Sequence, residues 1–148
     1  MAFKKLLIAN RGEIAIRIAR AAADLGMKSV AVYSDDDSHS LHVKLADEHR
    51  ALGANGPAAY LDIERMVAAA KAANCDAIHP GYGFLSEIPA FARACADAGI
   101  VFIGPSPEVL ATFGDKARAR ALAERFGVPV MPGTSGPTSL DEAKAFLA

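Results

Sequence analysis

Short apolar runs alternate with segments of helical periodicity along most of the chain. The runs 6–9 and 29–33 are apolar at almost every position, which is typical of parallel strands that helices cover on both faces. Farther along the chain, before the predicted strand 76–79, Ile63, Met66 and Ala70 repeat at the spacing of one helix face. The alternation of strand and helix predicts an α/β fold with a doubly wound parallel sheet. The predicted strands are 6–9, 29–33, 49–52, 76–79 and 100–103.

The helix after the first strand has two distinct stripes. Ile14, Ile18 and Leu25 fall on one side and are predicted to be buried, and Gly26 stands where a C-terminal cap is expected. The other stripe is charged, which is typical of a solvated face. Its residues are Glu13, Arg17, Arg20 and Asp24.

A second capped helix precedes the strongest strand pattern of the chain. Ser86 is predicted to cap a helix that continues to Ala98, with Pro89 tolerated in its first turn. Gly99 ends that helix, and the run 100–103 then has the most consistent strand pattern.

The strand–helix rhythm stops after Gly104. Asp115 is predicted to cap a helix whose apolar face includes Leu122 and Phe126. Residues 128–137 contain several prolines and glycines and are predicted to form an extended connection or a hairpin. A capping box at 139–142 then predicts one more helix.

The sequence stops at Ala148, inside the last predicted helix. A well-capped helix that is cut short predicts a piece of a longer protein. We therefore expect one domain at 1–112, followed at 113–148 by a linker and the start of a second domain.

Composition narrows the function classes. With 52% hydrophobic and 22% charged residues, the chain is typical of a soluble globular protein. The 16 basic and 17 acidic side chains nearly cancel, which argues against a nucleic-acid partner, and no apolar run approaches the length of a membrane span. Cys75 and Cys95 have apolar neighbours and are predicted to be buried, reduced thiols, so a cytoplasmic protein is expected.

The segment 79–87 is the main candidate for ligand binding. Two glycines flank Tyr82 where a predicted strand ends, so backbone amides can approach a flat ligand while the ring offers a stacking face. The alternative is a tight turn with its aromatic side chains packed in the core. We favour ligand contact for Tyr82 and Gly83, and core packing for Phe84 and Leu85.

Other polar residues are better explained by structure than by chemistry. The turn at 10–13 lacks the glycine spacing of a dinucleotide site, so a structural role is favoured there, except for Arg11. His79 is predicted to be a hydrogen-bonded structural residue, and the acidic run 35–37 a solvated turn. Histidines and cysteines lack the spacing of metal ligands, so no metal site is predicted within the chain.

Several segments together resemble the signature sequences of biotin carboxylases. They are IANRGEIA at 8–15, HPGYGFLSE at 79–87, FIGP at 102–105 and GDK at 114–116. The resemblance covers essentially the whole chain, in order and at the spacing of the family. One departure is Ile88, where the family commonly has Asn.

This resemblance implies a Rossmann-like domain that precedes an ATP-grasp domain, whose first helices end the present chain. The family uses ATP with Mg²⁺ (or Mn²⁺) to activate bicarbonate and carboxylate biotin, which is attached to a carrier protein. It implies carboxyl carrier and carboxyltransferase domains as partners, and a homo-oligomer. In such an oligomer, an interface role for the charged stripe of the first helix is the alternative to a solvated face. The final acceptor, an acyl-CoA, pyruvate or urea, stays open.

The resemblance also implies roles for individual residues. Lys116 would contact ATP, while Tyr82, Gly83 and Glu87 would lie near the biotin cleft. Catalytic, bicarbonate-holding and metal-holding residues come later in the family, so none is assigned here, and the chain alone is expected to be inactive. Two alternatives remain: another ATP-grasp ligase, and a Rossmann-like module that binds without catalysing.

Overall fold

The structure is a computed structural model that describes residues 3–133 and 138–147. Packing divides the chain into two compact units, Met1–Pro107 and Glu108–Ala148. Within the described residues, no helix is both long enough and apolar enough to cross a membrane. Residues 134–137 of the predicted connection 128–137 lie outside the described part.

A five-stranded, wholly parallel sheet forms the centre of the first unit, which confirms the predicted α/β fold. Its order is β3-β2-β1-β4-β5, with Leu7 of β1 opposite Val30 of β2 and Ile78 of β4. The strands are β1 (Lys5–Ile8), β2 (Lys28–Tyr33), β3 (Glu48–Ala51), β4 (Ala77–His79) and β5 (Val101–Phe102).

Helices cover both faces of this sheet. Side chains of β1 alternate between the faces, so that Leu7 joins one buried cluster while Leu6 and Ile8 join the other. The larger cluster includes Met66 and Phe91, and the smaller one contains the buried side of the first helix. The helices are α1 (Gly12–Asp24), α2 (Leu41–Leu45), α3 (Ile63–Ala72) and α4 (Pro89–Asp97), with 3-10 turns at Asp35–Asp37 and Pro57–Leu61.

Both cysteines belong to the larger core, as predicted. Cys75 and Cys95 are free thiols, and burial raises the pKa of each to about 11. They are therefore packing residues rather than thiolate nucleophiles.

Two local predictions in the first unit are wrong, and a third is confirmed with shorter bounds. Leu25 is 74% exposed because it lies one residue past α1 and lines an open apolar groove. Ser86 does not cap α4, because the turns after Gly81 continue to Ile88, which precedes Pro89 at the start of the helix. The strand predicted at 100–103 is reduced to two residues at the edge of the sheet.

The second unit confirms the predicted helix starts. Asp115 precedes α6 (Lys116–Arg125), and its carboxylate accepts from the amides of Ala117 and Arg118 at 2.9 and 3.1 Å. Ser139 and Glu142 form the predicted capping box before α7 (Leu140–Leu147). Phe126, expected on the apolar face of α6, is largely exposed because it follows the last helical residue. The remaining helix is α5 (Pro107–Phe113).

Candidate functional site

The strand order reverses between β1 and β4, and this reversal locates the candidate site. The chain runs from β1 outward to β2 and β3, then returns to the other side of β1 to form β4 and β5. Ligands of open α/β sheets bind beyond the carboxyl ends of the strands at such a point. Residues 9–13 and 80–87 follow the two central strands, so both predicted motifs meet there.

Asn10 joins these two segments. Its side-chain amide nitrogen donates to the carbonyls of Pro80 and Tyr82 at 2.7 and 2.8 Å. Its side-chain oxygen accepts from the backbone amide of Arg11 at 2.9 Å, which orients the amide group. Asn10 is only 2% exposed and its bond to Pro80 is buried, so it replaces the water that this carbonyl would otherwise need.

Two glycines of the loop have different roles. Gly81 has φ +67°, and an added Cβ would lie 2.7 Å from the amide nitrogen of Asn10, so the contact with Asn10 requires glycine. Gly83 also has φ +67°, but an added Cβ would meet no atom within 4 Å. The backbone at Gly83 therefore faces open space, which leaves room for a ligand.

His79 has the structural role that was predicted. Its Nδ1 accepts from the amide of Gly81 at 3.0 Å, which requires an unprotonated Nδ1 and closes the turn at the end of β4. Burial lowers the pKa of His79, so the ring is neutral at pH 7.

The aromatic residues of the loop divide as predicted between core and surface. Phe84 stacks on Tyr60 with ring centroids 5.2 Å apart, and Leu85 is buried in the larger core. Tyr82 is 61% exposed and its hydroxyl donates to the carboxylate of Glu13, which raises the pKa of Tyr82. The contact of Tyr82 and Gly83 with a ligand stays a prediction.

Asp37 corrects the prediction of a wholly solvated acidic turn. Asp35 and Asp36 are exposed, but Asp37 is 7% exposed. Its carboxylate accepts two bonds from the guanidinium of Arg11, at 2.5 and 2.6 Å. It also accepts from the hydroxyls of Tyr60 at 2.9 Å and Ser40 at 3.1 Å.

These bonds keep Asp37 ionised. The hydrogen bond from Arg11 is the main cause that lowers the pKa of Asp37 to about 2, and the hydroxyls of Tyr60 and Ser40 act in the same direction. In turn, Asp37 raises the pKa of Arg11. Arg11 was the one residue of the turn 10–13 for which a structural role was not favoured. In this structure its side chain is bound to Asp37.

Sequence reasoning missed Asn10 and Asp37 as organising residues. A weak signal was available for Asn10, a polar residue that directly follows a buried strand. The partners that give these residues their roles lie 70 and 72 positions from Asn10 and 26 and 23 positions from Asp37, so local pattern did not reveal them.

The remaining predicted site residues are exposed. Glu87 lies at the outer end of the loop, and Lys116 is the first residue of α6 in the second unit. Their roles stay predictions. The described residues contain no cluster of three or more His, Cys, Asp or Glu side chains that could hold a metal ion.

Residues 2–110 match the family described as biotin carboxylase, N-terminal domain. The chain belongs to this family. Pyruvate carboxylase of Staphylococcus aureus is 59% identical over 146 residues, which cover 97% of this chain and 13% of that protein. Biotin carboxylase of Halalkalibacterium halodurans is 52% identical over 147 residues, covering 99% of this chain and 32% of that protein.

Solved structures of the family have the same fold. The biotin carboxylase domain of a single-chain bacterial carboxylase is 58% identical, with a TM-score of 0.93 over 97% of this chain and 34% of that one. A single-chain, multi-domain long-chain acyl-CoA carboxylase is 50% identical, with a TM-score of 0.94 over 97% of this chain and 14% of that one. The chain is thus homologous to biotin carboxylase domains that occur in larger carboxylases.

Proposed function

We propose that the chain is the N-terminal part of a biotin carboxylase, a ligase that uses ATP and bicarbonate to carboxylate biotin on a carrier protein. Membership of the family supports this reading, and so does the site at the reversal of strand order. Because the chain spans 13% and 32% of the two relatives named above, the activity belongs to the whole protein.

The loop 79–87 would form one wall of the cleft that the biotin ring enters. One observation carries this proposal: Tyr82 and Gly83 face open space, while Phe84 and Leu85, next in sequence, are packed inward. An exposed ring beside open glycine backbone suits a flat heterocycle, which can stack on the ring and approach the amides. Glu87, exposed at the end of the loop, would lie nearby.

Glu13 would set the orientation of the Tyr82 ring. The hydroxyl of Tyr82 donates to the carboxylate of Glu13, which lies in the first turn of α1. With its hydroxyl held there, the tyrosine would present its ring face to the ligand at a lower entropic cost.

Lys116 would contact ATP. Lys116 is exposed and directly follows the capping residue Asp115. The carboxylate of Asp115 binds backbone amides of the helix, and the ammonium group of Lys116 is available to an anion. MgATP would supply the phosphoryl group that activates bicarbonate. A lysine alone does not make a nucleotide site. By resemblance to the family, the metal-holding groups would come later in the protein.

The whole protein would act in the cytoplasm with carboxyl carrier and carboxyltransferase domains, and as a homo-oligomer. The charged stripe of α1 is a candidate for the oligomer interface. Together with the exposed Leu41, it lines a groove of about 560 Å³. Two residues of this stripe, Arg17 and Arg20, are of a type that is enriched at interfaces between folded subunits.

Carboxylation of free biotin tests the proposed function. The full-length protein should incorporate labelled bicarbonate into biotin in an ATP-dependent manner, and the 148-residue chain alone should show no bicarbonate-dependent ATP cleavage. A full-length protein that binds nucleotide without carboxylating biotin would instead support a binding module.

A further inference from the structure

We infer that Asp37 is a positioning residue, which holds the loop 80–84 from both ends and thereby sets the wall of the candidate cleft. The inference rests on the proposed function of that loop. Asp37 itself lies after β2, outside the motifs that the resemblance singles out, and its hydrogen bonds go to Arg11, Tyr60 and Ser40.

The first connection runs from Asp37 through Arg11 to the start of the loop. The paired bonds at 2.5 and 2.6 Å hold the guanidinium of Arg11 in one plane. The backbone amide of the same Arg11 donates to Asn10, whose side-chain nitrogen binds the carbonyls of Pro80 and Tyr82. Rotation at Arg11 would thus disturb the group that fixes this end of the loop.

The second connection runs from Asp37 through Tyr60 to the end of the loop. The hydroxyl of Tyr60 donates to Asp37 at 2.9 Å and accepts from the amide of Ser34 at 3.1 Å, which leaves its ring one orientation. The ring of Phe84 stacks on it with an interplanar angle of 30°. Phe84 has φ +43°, an uncommon conformation for an aromatic residue, so packing must hold it in place.

The two connections converge on one charge. Arg11 also lies over the ring of Tyr60, with its guanidinium carbon 5.8 Å from the centroid, so the two connections support each other. The Tyr82 carbonyl is the last group that Asn10 holds, and Gly83 lies between it and the stacked ring of Phe84. A single ionised carboxylate therefore ties together the carboxyl ends of β2, β1 and β4, the strands around the candidate cleft.

Asp37→Asn in the full-length enzyme is the decisive variant, with Asp35→Asn as the control. Asp35 is an exposed neighbour, and its substitution makes the same change in charge. Asp37→Asn should raise amide hydrogen exchange in peptides covering 79–88 and raise the apparent KM for free biotin about tenfold. The apparent KM for ATP should stay within about twofold, and Asp35→Asn should change none of these quantities.

A second variant covers the case in which Asp37→Asn does not fold. Arg11→Lys keeps the charge but loses the paired geometry, so it should raise exchange and the biotin KM in the same direction by a smaller factor. Unchanged exchange at 79–88 in a folded Asp37→Asn or Arg11→Lys enzyme would overturn the inference.

Gly83→Ala separates this inference from the proposed function. If Gly83→Ala raises the biotin KM and Asp37→Asn alters neither exchange nor the biotin KM, the positioning role is wrong and the proposed function stands. If Asp37→Asn raises exchange but neither variant changes the biotin KM, the loop does not serve biotin, and the role of Asp37 in the reaction fails with it.

Discussion

The side-chain nitrogen of Asn10 donates to the backbone carbonyl of Tyr82 at 2.8 Å, across 72 positions of sequence. The bond joins the loop after β1 to the loop after β4 at the reversal of strand order. It gives the conformation of the candidate biotin loop a physical cause outside the loop itself.

Asn10→Asp should destabilise the protein substantially. The substitution keeps the shape of the side chain but removes the donor to the carbonyls of Pro80 and Tyr82, and it places negative charge against them. The expected loss is about 1–3 kcal/mol for the buried Pro80 carbonyl left without a donor, and less for the part-buried bond to Tyr82. Urea unfolding measures it, with the exposed Asn55→Asp as the control. Equal stability of the two variants would contradict the role assigned to Asn10.

Gly83→Ala should weaken biotin use more than it weakens ATP use. At φ +67° an alanine costs about 1–2 kcal/mol of stability, and its methyl group would enter the space proposed for biotin. Gly99→Ala is a close control, because Gly99 has φ +71° and an added Cβ would likewise meet no atom within 4 Å. Both variants should lose similar stability, but only Gly83→Ala should raise the apparent KM for biotin. Similar biotin kinetics in the two would mean that Gly83 serves backbone geometry alone.

Lys116→Gln should raise the apparent KM of the full-length enzyme for ATP about tenfold to hundredfold. This is the loss expected when a charge-assisted hydrogen bond is removed. Folding should be nearly unaffected, because Lys116 is exposed and Asp115 still caps α6. Lys71→Gln, in the exposed last turn of α3, serves as the control. An ATP KM within about twofold of the parent enzyme would place Lys116 outside the nucleotide site.

The stability of the protein should fall as the pH drops below about 6.5. Burial lowers the pKa values of His42 and His79, so the unfolded chain, with its ordinary value of 6.5, takes up protons first. Each group therefore stabilises the fold fully above pH 6.5, and that contribution is lost as the pH falls towards the folded pKa. Protonation of His79 would also break the bond from the amide of Gly81.

Urea unfolding at pH 8 and pH 5.5 measures this dependence. His79→Asn keeps an acceptor without a titrating ring, so it should reduce the loss of stability between the two pH values. The exposed His39→Asn should leave that loss unchanged. A His79→Asn protein that loses as much stability as the parent would show that His79 does not contribute.

Local features of the fold could be predicted because their causes lie within a few residues. Apolar runs in β1 and β2 predicted buried strands. Helix starts were predicted from Asp115 and from the pair Ser139 and Glu142, because the capping hydrogen bonds span only two or three positions. The loop 79–87 could be identified from its residue types, because two glycines flank the aromatic residue Tyr82 where a strand ends. The same reasoning failed at Ser86, since a residue type that favours helix caps also occurs within turns, and Ser86 lies inside the turns that precede α4.

The sequence by itself determined the α/β alternation, the caps of α6 and α7 and the segments that carry the family. Tertiary structure alone decided that Asp37 is buried, that Asn10 binds the loop and that Phe84 holds a positive φ. The reason is the distance along the sequence over which each interaction acts. Strand and cap signals act over one to four residues, whereas Asp37 meets Arg11 and Tyr60 across 26 and 23 positions, once the strands β1 and β2 lie side by side.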